Sequence, residues 1–499
     1  MAEPQRGNDM SVLQMTDMST GRMLSIIRDG LRKTRQPKKV IVVGAGMAGL
    51  VAASLLKQAG HQVKIIEASS RVGGRVYTLR SPFTQGEYLE AGAMRIPNVH
   101  QLTLAYIKKF GLPINPFINA TPNDLIYTNG VRTTAKEAER NPNILRFPVA
   151  AKEKGKSADE LFLAASRKIL DFVKRNPKRN WPIVVKRFDH YSLDTFLRHN
   201  PVGPKLSHQA IDMIQIMQDT EGISQLSYIQ TLQAFQLLYQ PNIRFYEITG
   251  GNDKLPKAFL PQLRRDILFN HKMTKISQRN GTVTIHSVNT KTKQPVKTMG
   301  DVAIITVPYS LLQLVEVEPK HLFSYGKRKA IRELHYAPAT KIGIQFKRRF
   351  WEQEGHLGGK IVTDLPVRYG FYPSHGLGKR GPGAVLASYT WEDDALPWDA
   401  LRQEDRVRQA LENWAKLHGK KVFRAFDSGT SWSWSQYQYS GGAFVLYRPG
   451  QQNELGPHLA KPEGRVFFAG EHVSSTPTWI QGAIESAIRA AVEVHQFKG

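Results

Sequence analysis

The chain has 499 residues, 41% of them hydrophobic and 22% charged, a composition expected of a folded protein with more than one domain. It contains no cysteine, which excludes disulfides, thiolate zinc sites, iron–sulfur clusters and cysteine nucleophiles. Lys and Arg outnumber Asp and Glu by 69 to 42, but this +27 reads as scattered, with short clusters such as Arg32–Arg35 and Lys347–Arg349, so a solvated basic surface is expected and nucleic acid is not expected as the main partner.

Residues 1–36 are polar, with one amphipathic stretch, Met23–Leu31, expected to dock as a helix. No apolar stretch follows the N-terminal charges, and no run reaches the ~18 apolar residues of a membrane span, so a cytoplasmic protein is expected. Lys39–Val43 reads as a buried strand, Ala48–Ala59 as a helix and Gln62–Glu67 as a second strand, together one βαβ unit. From about 130 to 240 the pattern is helical. Ser157 and Glu160 form a capping box that opens a helix through Lys174, and further helices are expected at Leu193–Leu197 and His208–Met217. Asn280-Gly281 predicts a hairpin turn inside Lys275–Ser287, and Val302–Val307 is another buried strand. Mixed sheet and loops are expected over 335–445, then a strand at Val466–Phe468 and a helix at Ala483–Val494.

The strongest motif is Gly44-x-Gly46-x-x-Gly49, between strand and helix, with Glu67 ending the next strand. Gly44 permits the tight turn, Gly46 lets a pyrophosphate approach the backbone, and Gly49 lets helix and strand pack closely. The helix N-terminus, at Met47 and Ala48, offers amide donors and a favourable dipole to phosphates. Glu67 stands where an acid accepts hydrogen bonds from a ribose diol. Ala68 and a second glycine pair follow in Ser70-Arg71-Val72-Gly73-Gly74-Arg75, with Arg75 as a counter-charge for the pyrophosphate.

This run resembles the FAD-binding opening of the flavin amine oxidase superfamily, and the likeness covers roughly 37–499. It implies an α/β multidomain protein: a Rossmann-like FAD-binding domain, a mixed-sheet substrate domain and a helical insertion. The expected parsing is an N-terminal extension over 1–36, FAD-binding segments 37–97, 241–310 and 462–499, substrate segments 98–129 and 311–461, and a helical domain over 130–240. In Gly464–His472, Gly470 and Glu471 match the segment at the flavin, Glu471 reaching the ribitol chain. Trp479-Ile480 opens the helix beneath the flavin, Gly250–Leu255 matches a shared glycine turn, and Met273 falls beside adenine. Ala443 stands where monoamine oxidases carry a flavin-bonded cysteine, so the FAD is expected to be non-covalent.

The resemblance also implies a substrate site. Phe444 and Trp479 match the aromatic pair that sandwiches the substrate amine, and Lys341 matches the lysine that holds a water near the flavin. The segment Glu90–Pro97 is similar to that of L-amino acid oxidases in which an arginine, here Arg95, binds the substrate carboxylate. Gly92, Ala93, Met94 and Arg95 itself border the cofactor in the same segment. Tyr372 is expected to donate its hydroxyl to that carboxylate. An arginine suits the task because its planar fork makes two parallel hydrogen bonds. Oxidative deamination of an L-amino acid by O2, giving a 2-oxo acid, ammonia and hydrogen peroxide, is the expected activity, and a homodimer the expected assembly. A tryptophan 2-monooxygenase-like activity and a monoamine or polyamine oxidase stand as alternatives.

Other patterns carry nothing. Gly155-Lys156-Ser157 lacks the first glycine of a phosphate loop, and the fifteen histidines show no metal-ligand spacing. Asn119-Ala120-Thr121 and Asn280-Gly281-Thr282 are glycosylation sequons without evidence of secretion.

Overall fold

A computed structural model describes residues 18–240 and 242–498. Its centre is a five-stranded parallel sheet in the order Ile267–Leu268, Gln62–Ile66, Lys39–Val43, Val302–Ile305 and Val466–Phe468. Alternation along Lys39–Val43 explains the layering. Val40 and Val42 pack with the helices Met47–Gln58 and Ile480–Gln496, while Ile41 and Val43 pack beneath a four-stranded sheet. The latter is built from Pro295–Gly300, Thr282–Asn289, His271–Arg279 and Glu316–Glu318. Its hairpin turns at Asn280 (φ 47°) and Gly281 (φ 74°), the left-handed pair that two-residue hairpins need. Three distant chain segments thus complete one nucleotide-binding sheet.

A seven-stranded sheet runs in the order Phe426–Ser433, Ala339–Phe346, Gly383–Trp391, Tyr369–Phe371, Lys360–Thr363, Leu125–Thr128 and Val131–Thr134. The last two form one hairpin, so the sheet continues past 129, where a helical region was expected to begin. The segment 335–445 also holds a long helix where mixed sheet and loops were expected. Gln403–His418 lays Ala410, Leu411 and Trp414 on the sheet, an apolar stripe at helical spacing.

Five helices, Ala158–Arg175, Pro177–Phe188, Leu193–His199, His208–Met217 and Tyr228–Leu238, share a core of their own. Ser157 accepts from the Glu160 amide, and Glu160 accepts from the Ser157 amide, as the capping box predicts. The N-terminal helix spans Thr20–Asp29, capped by Ser19, and buries Met23, Ile26 and Ile27. It stops short of Leu31 because Gly30 takes φ 82°. Residues 1–17 of the N-terminal extension lie outside the described residues. No helix among the described residues is long and apolar enough to cross a membrane.

One ion-pair group ties segments together. His375 Nδ1 lies 3.3 Å from Glu247, and its Nε2 lies 3.6 Å from Glu87, which also pairs with Arg349 at 3.0 Å. Burial works against the charged imidazole, but Glu247 and Glu87 outweigh it and hold His375 up at about 9. A group whose folded pKa is raised stabilises the fold fully below its unfolded value and loses that contribution as pH rises through the folded one. Stability is therefore expected to fall between about pH 6.5 and 9 by on the order of 1 kcal/mol, discounted for partial exposure. His375→Gln should flatten that decline in denaturant titrations across this range, and an unchanged slope would count against the assignment.

Candidate active site

A continuous cavity of about 1700 Å3 runs between the parallel sheet, the seven-stranded sheet and the helices. It exceeds the roughly 300–1,000 Å3 of a single small-molecule site, leaving room for a dinucleotide and a substrate together.

The dinucleotide end is built at the first strand–helix turn. Gly44 takes φ 107°, and a Cβ there would sit 2.4 Å from Thr306 Oγ1. A Cβ at Gly49 would lie 1.9 Å from the Gly44 carbonyl oxygen, so this residue packs helix on turn and does not itself face the cavity. In front of Gly46 the nearest atom, Gly74 Cα, is 3.9 Å from the position a Cβ would take. That opening lets a phosphate reach the amides at the start of Met47–Gln58. Glu67 accepts from the Ala45 amide at 2.7 Å and from the Ser69 amide and hydroxyl at 2.8 and 2.6 Å. These bonds fix a carboxylate that has acceptor capacity left for ribose hydroxyls. Met47, Ala48, Glu67, Ala68, Arg75, Met273, Gly470, Glu471, Trp479 and Ile480 all line the cavity. A cradle of this shape, with an acid at its edge, fits an adenine dinucleotide.

Arg75 and Glu471 do more than face a ligand. Arg75 donates to Glu471 Oε1 at 2.7 Å and to the Ala443 carbonyl at 3.0 Å, and Glu471 Oε2 accepts from the Thr478 amide at 2.8 Å. The pair staples the segments carrying Ala443 and Trp479 to the glycine-rich loop.

At the other end Lys341 projects from Ala339–Phe346 and is fully buried. Its ammonium donates to the carbonyls of Gly92 at 2.7 Å and Glu90 at 3.0 Å, and sits 4.4 Å from the centre of the Tyr389 ring. Burial pushes Lys341 down to about 7; Arg95 adds to the drop and Glu90 opposes it. Glu90 itself, buried and bonded to Thr78 and the Asn252 amide, is pushed up by burial to about 8.

Arg95 lines the cavity together with Gly92, Ala93 and Met94. It donates to the Asn119 side chain and lies 5.6 Å from the ring centres of Phe245 and Phe371. No carboxylate lies within 4.0 Å of it among the described residues. Burial lowers its pKa, partly countered by Tyr369, Tyr389 and Asp219. A cation held by an amide and aromatic rings in a desolvated cavity has its natural complement in an anionic ligand.

Tyr372 is a correction. It is 1% exposed, stacks on His356 with ring centres 4.9 Å apart and shares a hydrogen bond of 2.9 Å with His418 Nε2. It belongs to the core under the seven-stranded sheet and does not line the cavity. The reason is strand alternation: in Tyr369–Phe371 the first and third residues share a face, and the residue after them turns to the other. Tyr369 lines the cavity instead, and Arg95 responds to it.

Phe444 and Trp479 both line the cavity. Phe444 is braced edge-on by Trp391 with ring centres at 5.8 Å, Trp479 by His100 at 4.9 Å. Sequence reading missed Asn119, Tyr369, Tyr389, Trp391 and Trp434, all of which line the cavity; Trp434 donates to the Ala91 carbonyl at 2.8 Å. The signal for Tyr389 was register, since it pairs directly with Lys341 across two strands. Asn119 was read only as part of a sequon.

The cavity joins a dinucleotide cradle to a buried amine and a buried guanidinium, an arrangement suited to an oxidoreductase that works through a bound dinucleotide. The chain belongs to the family of flavin containing amine oxidoreductases, whose model matches residues 47–495, and a flavin is therefore its cofactor. It is 52% identical over 483 residues to the protein named "Putative L-amino-acid oxidase YobN" of Bacillus subtilis (strain 168), covering 97% of this chain and 100% of that one. It is 37% identical over 484 residues to the L-amino-acid oxidase of Siganus canaliculatus, covering 97% and 90%. The fold matches cyclohexylamine oxidase from Brevibacterium oxydans IH-35A with a TM-score of 0.75 at 18% identity, covering 92% of this chain and 99% of that one.

Proposed function

We propose that the protein oxidises L-amino acids to 2-oxo acids, ammonia and hydrogen peroxide, with a non-covalent FAD in the glycine cradle. The observation that carries this reading is Arg95, a buried cavity-lining cation with no carboxylate within 4.0 Å among the described residues, Asp219 acting on it only from farther off. A simple amine has no group for it to bind, whereas the α-carboxylate of an amino acid does. The names borne by the relatives point the same way.

A flavin held at the Gly44–Gly49 turn and Glu67 would supply the two-electron acceptor that the oxidation needs, with O2 as the final oxidant. The chain's own residues do the rest. Asn119 orients the guanidinium so that its free edge meets the carboxylate, and the Tyr369 hydroxyl adds a donor. Phe444 and Trp479 flank the amine, exclude water and favour its neutral form, the one that can release hydride. Lys341 has two of its three donors on the Glu90 and Gly92 carbonyls, which leaves one N–H to hold a water or move a proton at Nζ. Ala443 offers no sulfur for a covalent bond to the cofactor.

The test is peroxide release in air from L-phenylalanine, D-phenylalanine and phenethylamine, with the visible spectrum followed alongside. Turnover of the L-amino acid far above that of the D-amino acid and of phenethylamine supports the reading. Equal or faster turnover of phenethylamine moves the protein to the amine oxidases, and an amide product moves it to the monooxygenases.

The corrected clamp makes its own prediction. Tyr369→Phe should raise KM for an L-amino acid by about 10- to 100-fold, the loss of one hydrogen bond to a charged group. Tyr372→Phe should leave KM within about threefold and lower stability by about 1 kcal/mol instead. The reverse pattern in steady-state kinetics and denaturant titration would restore the original assignment.

A further inference from the structure

The active site leaves most of the net charge of +27 unused. Residues 167–187 hold eight Lys or Arg and one acid, Asp171, and none of the eight has a carboxylate within 4.0 Å among the described residues. The helix Pro177–Phe188 gathers half of them on one face. Asn180, Trp181, Val184, Val185 and Phe188 are buried, while Lys178, Arg179, Pro182, Ile183, Lys186 and Arg187 are exposed. Steps of four place these six in two adjacent rows, a basic pair at each end and Pro182-Ile183 between them. The rows extend about 14 Å at 1.5 Å per residue. Ile183 is 46% exposed at their centre.

We propose that this face docks on an anionic lipid surface. Four unpaired cations on a rigid helix give the attraction, each Lys or Arg near an anionic bilayer adding about fivefold to the affinity. The exposed Pro182-Ile183 pair favours lipid over nucleic acid, because it fits the boundary between headgroups and acyl chains. Binding to single-stranded nucleic acid relies on aromatic stacking as well as charge, and the one tryptophan and one phenylalanine of this helix are turned into the core. The docking face also adjoins the cavity mouth. Lys174 and Pro177 line the cavity with the exposed Leu163, so a docked molecule opens its substrate cavity near the headgroups.

The test uses the full-length flavoprotein and sedimentation with vesicles of phosphatidylcholine alone or of equal parts phosphatidylcholine and phosphatidylglycerol. The protein should sediment with the anionic vesicles only, and less as salt rises. Reversing the face with Lys178→Glu, Arg179→Glu, Lys186→Glu and Arg187→Glu together should lower partitioning by at least about a hundredfold, and so should the neutral set with glutamine at the same four positions. Amino-acid turnover without vesicles should not change in either variant, which controls for folding. A second quadruple reversal, at the exposed Lys291, Lys293, Lys297 and Lys320, matches the change in net charge and should keep partitioning within about threefold. Equal loss in that control, no sedimentation of the wild type with anionic vesicles, or binding to duplex DNA in preference to vesicles would each overturn the proposal.

Discussion

Replacing Arg95 by methionine is expected to lower kcat/KM for an L-amino acid by about a thousandfold while phenethylamine turnover stays within about threefold. Each hydrogen bond from a charged donor contributes about 1.5–3 kcal/mol, and two parallel ones amount to roughly two to four powers of ten. The split between substrates matters more than the size of the loss. On the proposed reading Arg95 meets the substrate only through its carboxylate, so an amine lacking one should not notice its removal. Arg95→Lys should recover part of the rate, since a point charge replaces a fork that Asn119 had oriented. Loss of both activities together with the flavin absorbance would assign Arg95 to the cofactor, and equal loss with the absorbance intact would remove it from substrate recognition.

A residue's place is legible in the sequence where a local rule governs it. The glycines of the first turn were legible because backbone geometry there admits little else: a Cβ at Gly49 would overlap the Gly44 carbonyl. The capping box at Ser157, the hairpin at Asn280-Gly281 and the buried strands around Val40 and Val302 were legible for the same reason. The helix Gln403–His418 obeys a local rule too, through its apolar spacing at Val407, Ala410, Leu411 and Trp414. Arg95 and Lys341 came from the resemblance, and the structure brings them into one cavity. Tyr372 failed because similarity of a segment does not fix which face of a strand a side chain takes. The alternation of Tyr369-Gly370-Phe371-Tyr372 was in view and puts the first and last on opposite sides. Asn119 and Tyr389 lie 24 and 48 positions from the residues they support, and only pairing across the fold reveals them. The basic residues looked scattered for a similar reason: Lys178, Arg179, Lys186 and Arg187 become one face only when a helix winds them together.

Lys341→Met is expected to reduce turnover by about a hundredfold and to remove an inflection near pH 7 from the wild-type profile. The inflection follows from the site. Burial pushes Lys341 down to about 7, so its ammonium is present below that pH and disappears above it. Two backbone carbonyls, of Glu90 and Gly92, hold the nitrogen in place in either form, and no carboxylate within 4.0 Å neutralises it among the described residues. The ammonium is the form that offsets negative charge developing on oxygen in a cavity with little water, which argues for a rate that falls as pH rises through 7. Glu90 sharpens the test. It raises the Lys341 value through its partial charge, being itself near 8, so Glu90→Gln should shift the inflection downward without abolishing it. Methionine keeps the length and apolar contacts of the lysine stem while removing the donor, so stability should change less than activity. An unaltered pH profile in Lys341→Met would move the titration to another group. A rate that rises through pH 7 in the wild type would instead make the neutral amine the working form, with Nζ taking a proton from the water it holds.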